Sequence, residues 1–421
     1  MSVLKDKNVV VGISGGIAAY KVPEFIRQLV KEQASVKVVT SNNALQFVTK
    51  TTLQTLSNNN VYSNIFDSYS DFSVQHVSLR QWADILIVAP ATANCIAKIA
   101  NGIADDALST TILAMCPNNQ NRELAIPIVI APAMNEHMYF ATPLQNNLKI
   151  LTQFSNVTLL DCAEGPLACH TSGKGRMQET DVLLHTLRYT LSPKPLKNRR
   201  VLITMGATRE YIDPVRFISN ESSGKMGYHI ANQCAYLGAD VDIVSAYTTT
   251  SPPFLPQDVL FNAKQRTILH KVVTAQQMFE VTSRLFPQAD IVILCAAVSD
   301  FTPNTTEQQK IKSKDHPISL SLNPTTDIAK TLGAMKRDNQ IVMGFALETE
   351  NELANAKGKL SAKNLDAIVL NSLNEPGAGF NTDTNKITII SRLDRTSDYP
   401  LLSKEQTAIN IVNYIIENFI I

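Results

Sequence analysis

Short apolar runs, rich in β-branched residues, alternate along the chain with segments whose apolar residues have helical spacing. In the first half the apolar runs lie at residues 9–12, 36–40, 84–90, 126–132 and 157–160. A second series lies at residues 201–206, 241–246, 290–297, 340–346 and 366–371. Near-continuous runs of this kind are typical of parallel strands that are buried on both faces of a sheet. The pattern therefore predicts an α/β protein with two successive Rossmann-like, doubly wound domains.

The boundary between the two series is predicted near residues 191–199. The segment LSPKPLKNRR, which begins at Leu191, contains two prolines and four basic residues and indicates a linker. A length of 421 residues also suits two compact domains better than one. We therefore expect domains at 1–190 and 191–421, with residues 248–271 as a long connection inside the second.

Composition narrows the range of partners and compartments. The net charge is +1 and 18% of the residues are charged, so there is no electrostatic reason to expect nucleic acid or a membrane surface as a partner. Six cysteines without a CxxC spacing predict reduced thiols rather than a zinc site or a redox pair. The N-terminus has no signal or transit pattern, and the apolar C-terminal stretch IVNYIIENFII better fits a last buried helix than a membrane span. We expect a cytoplasmic protein.

The turn GISGGIAAYK, residues 12–21, follows the first predicted strand and opens a predicted helix. Glycines let a backbone approach an anion, and a helix N-terminus offers unpaired amides, so the turn suits a phosphate. Tight packing would explain the same glycines, and both interpretations stay open. The turn lacks the GxGxxG fingerprint, and Thr40 and Ser41 end the next strand in place of an acidic residue. Hydroxyls at that point favour a mononucleotide over NAD.

Two further segments carry a more specific signal. Residues 131–139, APAMNEHMY, form a predicted strand end and turn, and residues 164–177 read EGPLACHTSGKGRM. Together they resemble the substrate-recognition motif and the cysteine-bearing flap of flavin-dependent cysteine decarboxylases. Over nearly its whole length the chain resembles the bifunctional phosphopantothenoylcysteine decarboxylase and phosphopantothenate-cysteine ligase family of coenzyme A biosynthesis. The resemblance implies a flavodoxin-like, homo-oligomeric first domain that binds FMN and a second domain that uses CTP.

The resemblance also implies an active site in the first domain. Its catalytic residues would be His76, which precedes a Trp-Ala-Asp run, Asn135, and Cys169 in the flap. The implied flavin contacts are Ser14, Ser41, Thr92, Ala93 and Ser109. On the residues alone, a single histidine is more often structural than catalytic. Helix capping would likewise explain Thr92 or Ser109 singly.

Two positions depart from the family pattern. Tyr139 stands where the family usually has tryptophan, and the retained aromatic ring predicts a change of packing rather than of reaction. His170 replaces a residue that is commonly glycine beside Cys169, where it could perturb the pKa of the thiol. Cys162, by contrast, is expected to be a small buried apolar residue.

In the second domain, the polar loop SNESSGKMG, residues 219–227, resembles the family loop that receives phosphorylated pantothenate. Asn220 matches the asparagine that handles the acyl-nucleotide, and Lys310 matches a lysine that contacts CTP. Asp300 follows a predicted strand, where a carboxylate suits a ribose or a metal. The other implied CTP contacts are Leu294, Cys295, Ala296, Thr326, Asp327, Ile328, Ala329, Phe345, Lys359 and Lys363. A solvated surface would explain the lysine pairs without any nucleotide.

The two implied reactions are sequential. The second domain would activate phosphopantothenate with CTP as an acyl-cytidylate, with a divalent cation such as Mg²⁺ whose ligands are not predicted, and couple it to cysteine. The first domain would decarboxylate phosphopantothenoylcysteine to phosphopantetheine, with FMN as a transient electron acceptor and Cys169 as the proton donor. Small molecules are then the partners. Family members also assemble trimers of decarboxylase halves and dimers of ligase halves, often within a dodecamer.

Two other classes of protein could share parts of this pattern. A flavin-binding regulatory subunit without catalysis would share the first fold, but it would need neither His76, Asn135 and Cys169 together nor a ligase half. A dehydrogenase built from two Rossmann-like halves would be expected to carry the missing GxGxxG and its acidic ribose partner.

Overall fold

A computed structural model describes residues 2–66, 74–117, 125–166, 172–261, 263, 265–312, 319–372, 377, 379, 382–393 and 395–420. These residues form two compact units. The first unit comprises Met1–Ser192 and Pro256–Lys264, and the second comprises Pro193–Leu255 and Gln265–Ile421. The predicted domain 191–421 therefore contributes one short segment to the first unit.

A six-stranded parallel sheet with strand order β3-β2-β1-β4-β5-β6 forms the centre of the first unit. Its strands are β1 (Asn8–Ile13), β2 (Ser35–Thr40), β3 (Val61–Tyr62), β4 (Ile85–Ala91), β5 (Ile128–Pro132) and β6 (Val157–Leu159). An antiparallel pair follows, β7 (Ala163–Pro166) and β8 (Ser172–Arg176). The helices are α1 (Val22–Lys31), α2 (Lys50–Ser57), α3 (Gln75–Trp82), α4 (Ala93–Asn101), α5 (Ala107–Met115), α6 (Glu136–Phe140), α7 (Thr142–Leu151) and α8 (Thr180–Leu191). The strand order reverses between β1 and β4, which is where a ligand crevice opens in such sheets.

These elements follow from the apolar positions of the sequence. In α1, Val22, Phe25, Ile26 and Leu29 are three or four residues apart and are all buried. All seven residues of β4 are buried, as expected for a central parallel strand. Because successive strand residues point to opposite faces, the apolar side chains of the unit form two separate core clusters.

An eight-stranded sheet with strand order β13-β12-β9-β14-β17-β18-β19-β20 forms the centre of the second unit. The strands of this unit are β9 (Arg200–Met205), β10 (Arg209–Tyr211), β11 (Phe217–Ser219), β12 (Asp240–Ser245), β13 (Thr267–Lys271), β14 (Ile291–Leu294), β15 (Phe301–Pro303), β16 (Leu322–Pro324), β17 (Ile341–Glu348), β18 (Ala367–Ser372), β19 (Thr384–Ser391) and β20 (Thr396–Ser403). The remaining helices of the chain are α9 (Lys225–Tyr236), α10 (Pro256–Val259), α11 (Ala275–Leu285), α12 (Ile328–Ala334), α13 (Glu352–Ala362) and α14 (Lys404–Phe419), of which α10 belongs to the first unit.

The predicted strands of both units are present, and the α/β prediction is confirmed. Strands β3, β13, β19 and β20 were not predicted. Residues 248–271, expected to be a connection, contain α10 and β13 instead. Strands β13 and β20 end the sheet and bury few side chains, so their apolar pattern is weak. Helix α14 is the expected buried C-terminal helix, and no helix in the described ranges is long and apolar enough to cross a membrane.

A short arm, residues 256–261, completes the edge of the first sheet. The backbone N–H of Asp161 donates to the carbonyl oxygen of Val259 at 2.9 Å, and that of Phe261 donates to Leu159 at 2.8 Å. Apolar side chains of the arm pack against both core clusters of the first unit. The arm therefore covers an edge strand whose backbone groups would otherwise face solvent.

We expect Phe261→Ala to lower the free energy of unfolding of the first unit by about 2 kcal/mol, because a half-buried ring leaves the core. Thermal unfolding, followed by the fluorescence of Trp82, the single tryptophan of the chain and a residue of the first unit, would measure the loss. Phe66→Ala is the matched control, since that ring is 88% exposed. Equal melting temperatures for the two variants would show that the arm does not support the first unit.

Candidate active sites

A cleft of about 1050 Å³ opens at the carboxyl ends of β1, β4 and β5 in the first unit. It lies at the reversal of strand order, as the topology predicts. The cleft brings together residues that are far apart in the chain. Its lining includes all five predicted flavin contacts and one predicted catalytic residue, namely Ser14, Ser41, Thr92, Ala93, Ser109 and Asn135.

The glycine-rich turn contributes one wall of this cleft. A Cβ atom on Gly15 would lie 2.5 Å from the Cβ atom of Asn43, so close packing requires glycine there. Ser14 is buried, and its hydroxyl donates to the carbonyl oxygen of Pro90 at 2.7 Å and so joins the ends of β1 and β4. The turn leads into a 3-10 turn, Ile17–Lys21, before α1 begins. The packing interpretation of the glycines is thus confirmed, and the same turn lines the cleft.

Two of the predicted flavin contacts also cap helices. The Thr92 hydroxyl accepts a hydrogen bond from the N–H of Cys95 at 3.4 Å at the start of α4. Ser109 forms a reciprocal capping box with Asp106 at the start of α5. Helix capping, considered as the alternative for these residues, is therefore correct and does not compete with a role in the cleft.

Asn135 caps α6 through one side-chain atom only. Its Oδ1 accepts a hydrogen bond from the N–H of Met138 at 2.8 Å. Asn135 also lines the cleft, and its side chain carries an Nδ2 donor besides the Oδ1 that caps the helix. Met134 and Met138 line the cleft as well and give it apolar surface.

A charged group in the cleft was missed by the sequence reasoning. Lys98 contacts Asp105 at 2.6 Å and Asp106 at 2.7 Å, and all three residues line the cleft. Burial opposes ionisation of Asp106, but hydrogen bonds from Lys98 and Ser109 hold its pKa below the ordinary value. Asp106 therefore stays ionised near neutral pH. The sequence offered one signal for this group, namely a lysine that precedes two consecutive aspartates by seven and eight residues.

His76 is on α3, outside the described lining of the cleft, and its buried Nδ1 atom has no hydrogen-bond partner in the described ranges. Cys169 and His170 lie outside the described residues. Cys162 is buried as predicted, and burial raises the pKa of its thiol to about 12.

The second unit has a smaller cavity of about 240 Å³ at the carboxyl ends of β9, β14 and β17. Most of the predicted CTP contacts line it, namely Leu294, Ala296, Asp300, Thr326, Asp327, Ile328, Ala329, Phe345, Lys359 and Lys363. Cys295 does not, because it packs against a core cluster of the unit. Lys310 is exposed and is also outside the lining.

Lys359 on α13 and Lys363 at the C-terminal end of that helix each contact a carboxylate. Lys359 lies 2.6 Å from Glu348, and Lys363 lies 3.0 Å from Asp327. Asp327 also caps α12, where its side chain accepts from the N–H of Lys330. Burial opposes ionisation of the Asp327 carboxylate, but the hydrogen bonds from Lys330 and Lys363 outweigh burial and lower its pKa. The mutual repulsion expected of the two lysines is therefore offset by acidic partners.

Asp213 holds the segment that carries Lys310. Its buried carboxylate accepts from the N–H of Val215 at 2.7 Å and of Ile311 at 3.2 Å, and it pairs with Arg216. Although burial opposes ionisation of this carboxylate, the hydrogen bonds lower the pKa of Asp213 to about 2. Its contribution to stability is present above the unfolded pKa of about 4 and is lost as the pH falls towards 2. The tether to Ile311 is thus intact at neutral pH.

For the ligation that the sequence resemblance implies, we expect Asp213→Asn to slow the reaction about tenfold, because the amide nitrogen cannot accept from Ile311 and the neighbouring Lys310 loses its position. The CTP-dependent coupling of cysteine would measure this. Decarboxylation by the first unit should stay unchanged, and Asp338→Asn, at an exposed position of the second unit, is the matched control. Parental ligation rates in Asp213→Asn would contradict the tether.

Asn220 lies near the start of the polar loop. Its exposed side-chain amide donates to the carbonyl oxygen of Val298 at 3.1 Å. Gly224 has a φ of 75°, and α9 begins at Lys225. Among the described residues, no group of three or more His, Cys, Asp or Glu side chains could hold a metal ion.

Comparisons with known proteins find a family match for each half of the chain. Residues 2–192 match the Flavoprotein family model, and residues 196–419 match the model of the DNA/pantothenate metabolism flavoprotein C-terminal domain. The coenzyme A biosynthesis bifunctional protein CoaBC of Bacillus subtilis (strain 168) is 40% identical over 420 residues, 98% of this chain and 97% of the relative. The chain belongs to this family of bifunctional proteins. The resemblance inferred from its motifs is confirmed.

Other similar proteins have related names. A cysteine/cysteine sulfinic acid decarboxylase from an unknown prokaryotic organism is 42% identical and covers 88% of this chain and 99% of the relative. The crystal structure of the C-terminal domain of a CoaBC protein is 36% identical, with a TM-score of 0.43, and covers 53% of this chain and 96% of that domain.

The cleft of this family member suits a flavin. The first half is a flavoprotein domain by family. The hydroxyls of Thr40 and Ser41 are buried without a hydrogen-bond partner in the described part of the chain, and Ser41 lines the cleft. Buried polar atoms normally have partners, so these hydroxyls fit contacts that a bound polar ligand would supply. The cleft volume also lies at the upper end of the range for small-molecule sites.

Proposed function

We propose that this chain catalyses two successive steps of coenzyme A biosynthesis in the cytoplasm. The second half ligates phosphopantothenate to cysteine with CTP, and the first half decarboxylates the product with FMN. The observation that carries this proposal is the convergence of the predicted flavin contacts and Asn135 in one cleft. The assignment of the reactions to residues 1–190 and 191–421, and assembly as a homo-oligomer, are part of the proposal.

In the first half, bound FMN would accept electrons from the cysteinyl carbon and return them, which permits loss of CO2 without net redox change. The chain itself supplies binding and orientation. The Nδ2 group of Asn135 would donate to the substrate carboxylate, while its Oδ1 keeps α6 capped. Met134 and Met138 would exclude water from the reacting end. His76 stays a predicted catalytic residue, and Cys169 stays the predicted proton donor.

In the second half, the cavity is proposed to hold the nucleotide. Lys359 and Lys363 would exchange their carboxylate partners for phosphate oxygens, and Phe345 would contact the base. Lys310 would stabilise the charge that develops on the α-phosphate. A divalent cation would reach the site on the phosphates of the nucleotide, as Mg²⁺ usually does. Asn220 would hold the acyl-cytidylate.

A coupled assay tests the proposal. Purified full-length protein is incubated with phosphopantothenate, cysteine and CTP, and both pyrophosphate and CO2 are followed. Both should appear, CO2 only after ligation, and the protein should carry a flavin absorbance band. Free cysteine and cysteine sulfinic acid are assayed in parallel, because the 42% identical relative is named for them. Flavin binding without any turnover would favour the regulatory-subunit alternative.

A further inference from the structure

A hydrogen-bond network joins the motif at 131–139 to strand β8. Tyr139 is only 3% exposed, and its hydroxyl donates to Oδ1 of Asp161. The other carboxylate oxygen, Oδ2, accepts from the ammonium group of Lys174 at 2.6 Å. Asp161 thus connects a buried aromatic residue of α6 to a cation on β8.

Backbone contacts hold β8 against the same motif. The N–H of Lys174 donates to Oε1 of Glu136 at 3.1 Å, and the N–H of Met134 donates to the carbonyl oxygen of Gly175 at 2.9 Å. A Cβ atom on Gly173 would lie 2.5 Å from the Glu136 carboxylate, which shows how closely the two segments approach. The residues that follow on β8 form a wall of the first cleft.

We propose that the Tyr139 hydroxyl is a positioning group for the decarboxylase site. Through Asp161 and Lys174 it fixes Gly175 and Arg176 on β8, which line the cleft beside the motif that carries Asn135. The inference rests on the proposed function, since the position of this wall matters for turnover only if the cleft holds the substrate.

The chemistry of the three side chains supports a permanent connection. Burial, together with the Asp161 carboxylate, raises the pKa of Tyr139, so the phenol keeps its proton and stays a donor across the physiological range. The Lys174 ammonium also lies 5.6 Å from the centre of the Tyr139 ring, within range of a cation-π contact. The tryptophan usual in the family has a single ring N–H donor, so a donor at this position is compatible with both residues.

Tyr139→Phe removes only the hydroxyl and tests the proposal in the full-length holoenzyme. Trypsin cleavage after Arg176, followed by mass spectrometry, reports directly on the order of β8 and needs no turnover. We expect cleavage to be at least fivefold faster, and kcat/KM for phosphopantothenoylcysteine to fall about tenfold. Lys174→Met should behave alike, because it breaks the same network from the other end. Tyr139→Trp should return both values towards those of the parent.

Lys149→Met is the matched control, since Lys149 is exposed on α7. Ligation by the second unit should not change in any of these variants. If Tyr139→Phe is cleaved at the parental rate and keeps kcat/KM within twofold, the proposal is wrong. If it merely melts earlier, with cleavage and kcat/KM unchanged at low temperature, the hydroxyl is structural and the proposal is also wrong. A parent that releases no CO2 would instead refute the proposed function, while the cleavage result would still judge the network.

Discussion

Asn135→Asp is expected to slow decarboxylation by more than a hundredfold while the fold of the first unit is retained. The aspartate keeps an oxygen that can accept from the N–H of Met138, so α6 stays capped. It replaces the Nδ2 donor by a charged oxygen, which would repel the substrate carboxylate. Loss of one preorganised donor typically costs a factor of about 10² to 10³.

The assay is the rate of CO2 release from phosphopantothenoylcysteine, with thermal unfolding measured on the same samples. Asn146→Asp places the same charge at an exposed site on α7 and is the matched control. Asn135→Ala also removes the helix cap, so it should lower the free energy of unfolding by about 1 kcal/mol. Decarboxylation by Asn135→Asp within tenfold of the parent would remove Asn135 from substrate binding.

Lys310→Gln is expected to slow ligation by about 10² to 10³, which corresponds to about 2.7–4 kcal/mol of barrier. The proposed role is to neutralise charge on the nucleotide phosphates and on the acyl-cytidylate. Because Lys310 is exposed, the substitution should leave the folding of the second unit intact. Flavin binding and decarboxylation should also stay at parental values.

Ligation is followed as pyrophosphate that depends on both CTP and cysteine. Lys271→Gln, at an exposed position of the edge strand β13, removes the same charge away from the cavity and should have no effect. The structure leaves Lys310 outside the cavity lining, so this experiment decides its assignment. Ligation within twofold of the parent would return Lys310 to the class of solvated surface lysines.

The accuracy of the sequence predictions followed the strength of the local pattern. Central strands such as β1 and β4 were identified because they are buried on both faces and therefore read as continuous apolar runs. Strand β13 was missed because three of its five residues are only half-buried, which blurs both periodicities. Strands β19 and β20 pair antiparallel at the end of a parallel sheet. They were missed because the alternation of helices and strands that predicts a parallel sheet does not extend to them.

Some features of the candidate sites were likewise identified from the sequence, and others only from the structure. Most of the site residues that the family resemblance named do line one of the two cavities, because they sit in short contiguous segments that a motif can identify. The Lys98 group, the tether from Asp213 to Ile311 and the network from Tyr139 to Lys174 were not named. Each depends on side-chain geometry, and the tether and the network also join residues far apart in the chain.

The sequence by itself determined the fold class, the order of the two α/β patterns and the family, since apolar periodicity and contiguous motifs are local properties. Only the tertiary structure decided that residues 256–261 complete the first sheet, that Tyr139 donates to Asp161, and that Lys359 and Lys363 have carboxylate partners. Those facts depend on which distant segments the folded chain brings within hydrogen-bonding distance. No local pattern encodes that distance, because it is set by the packing of the whole unit.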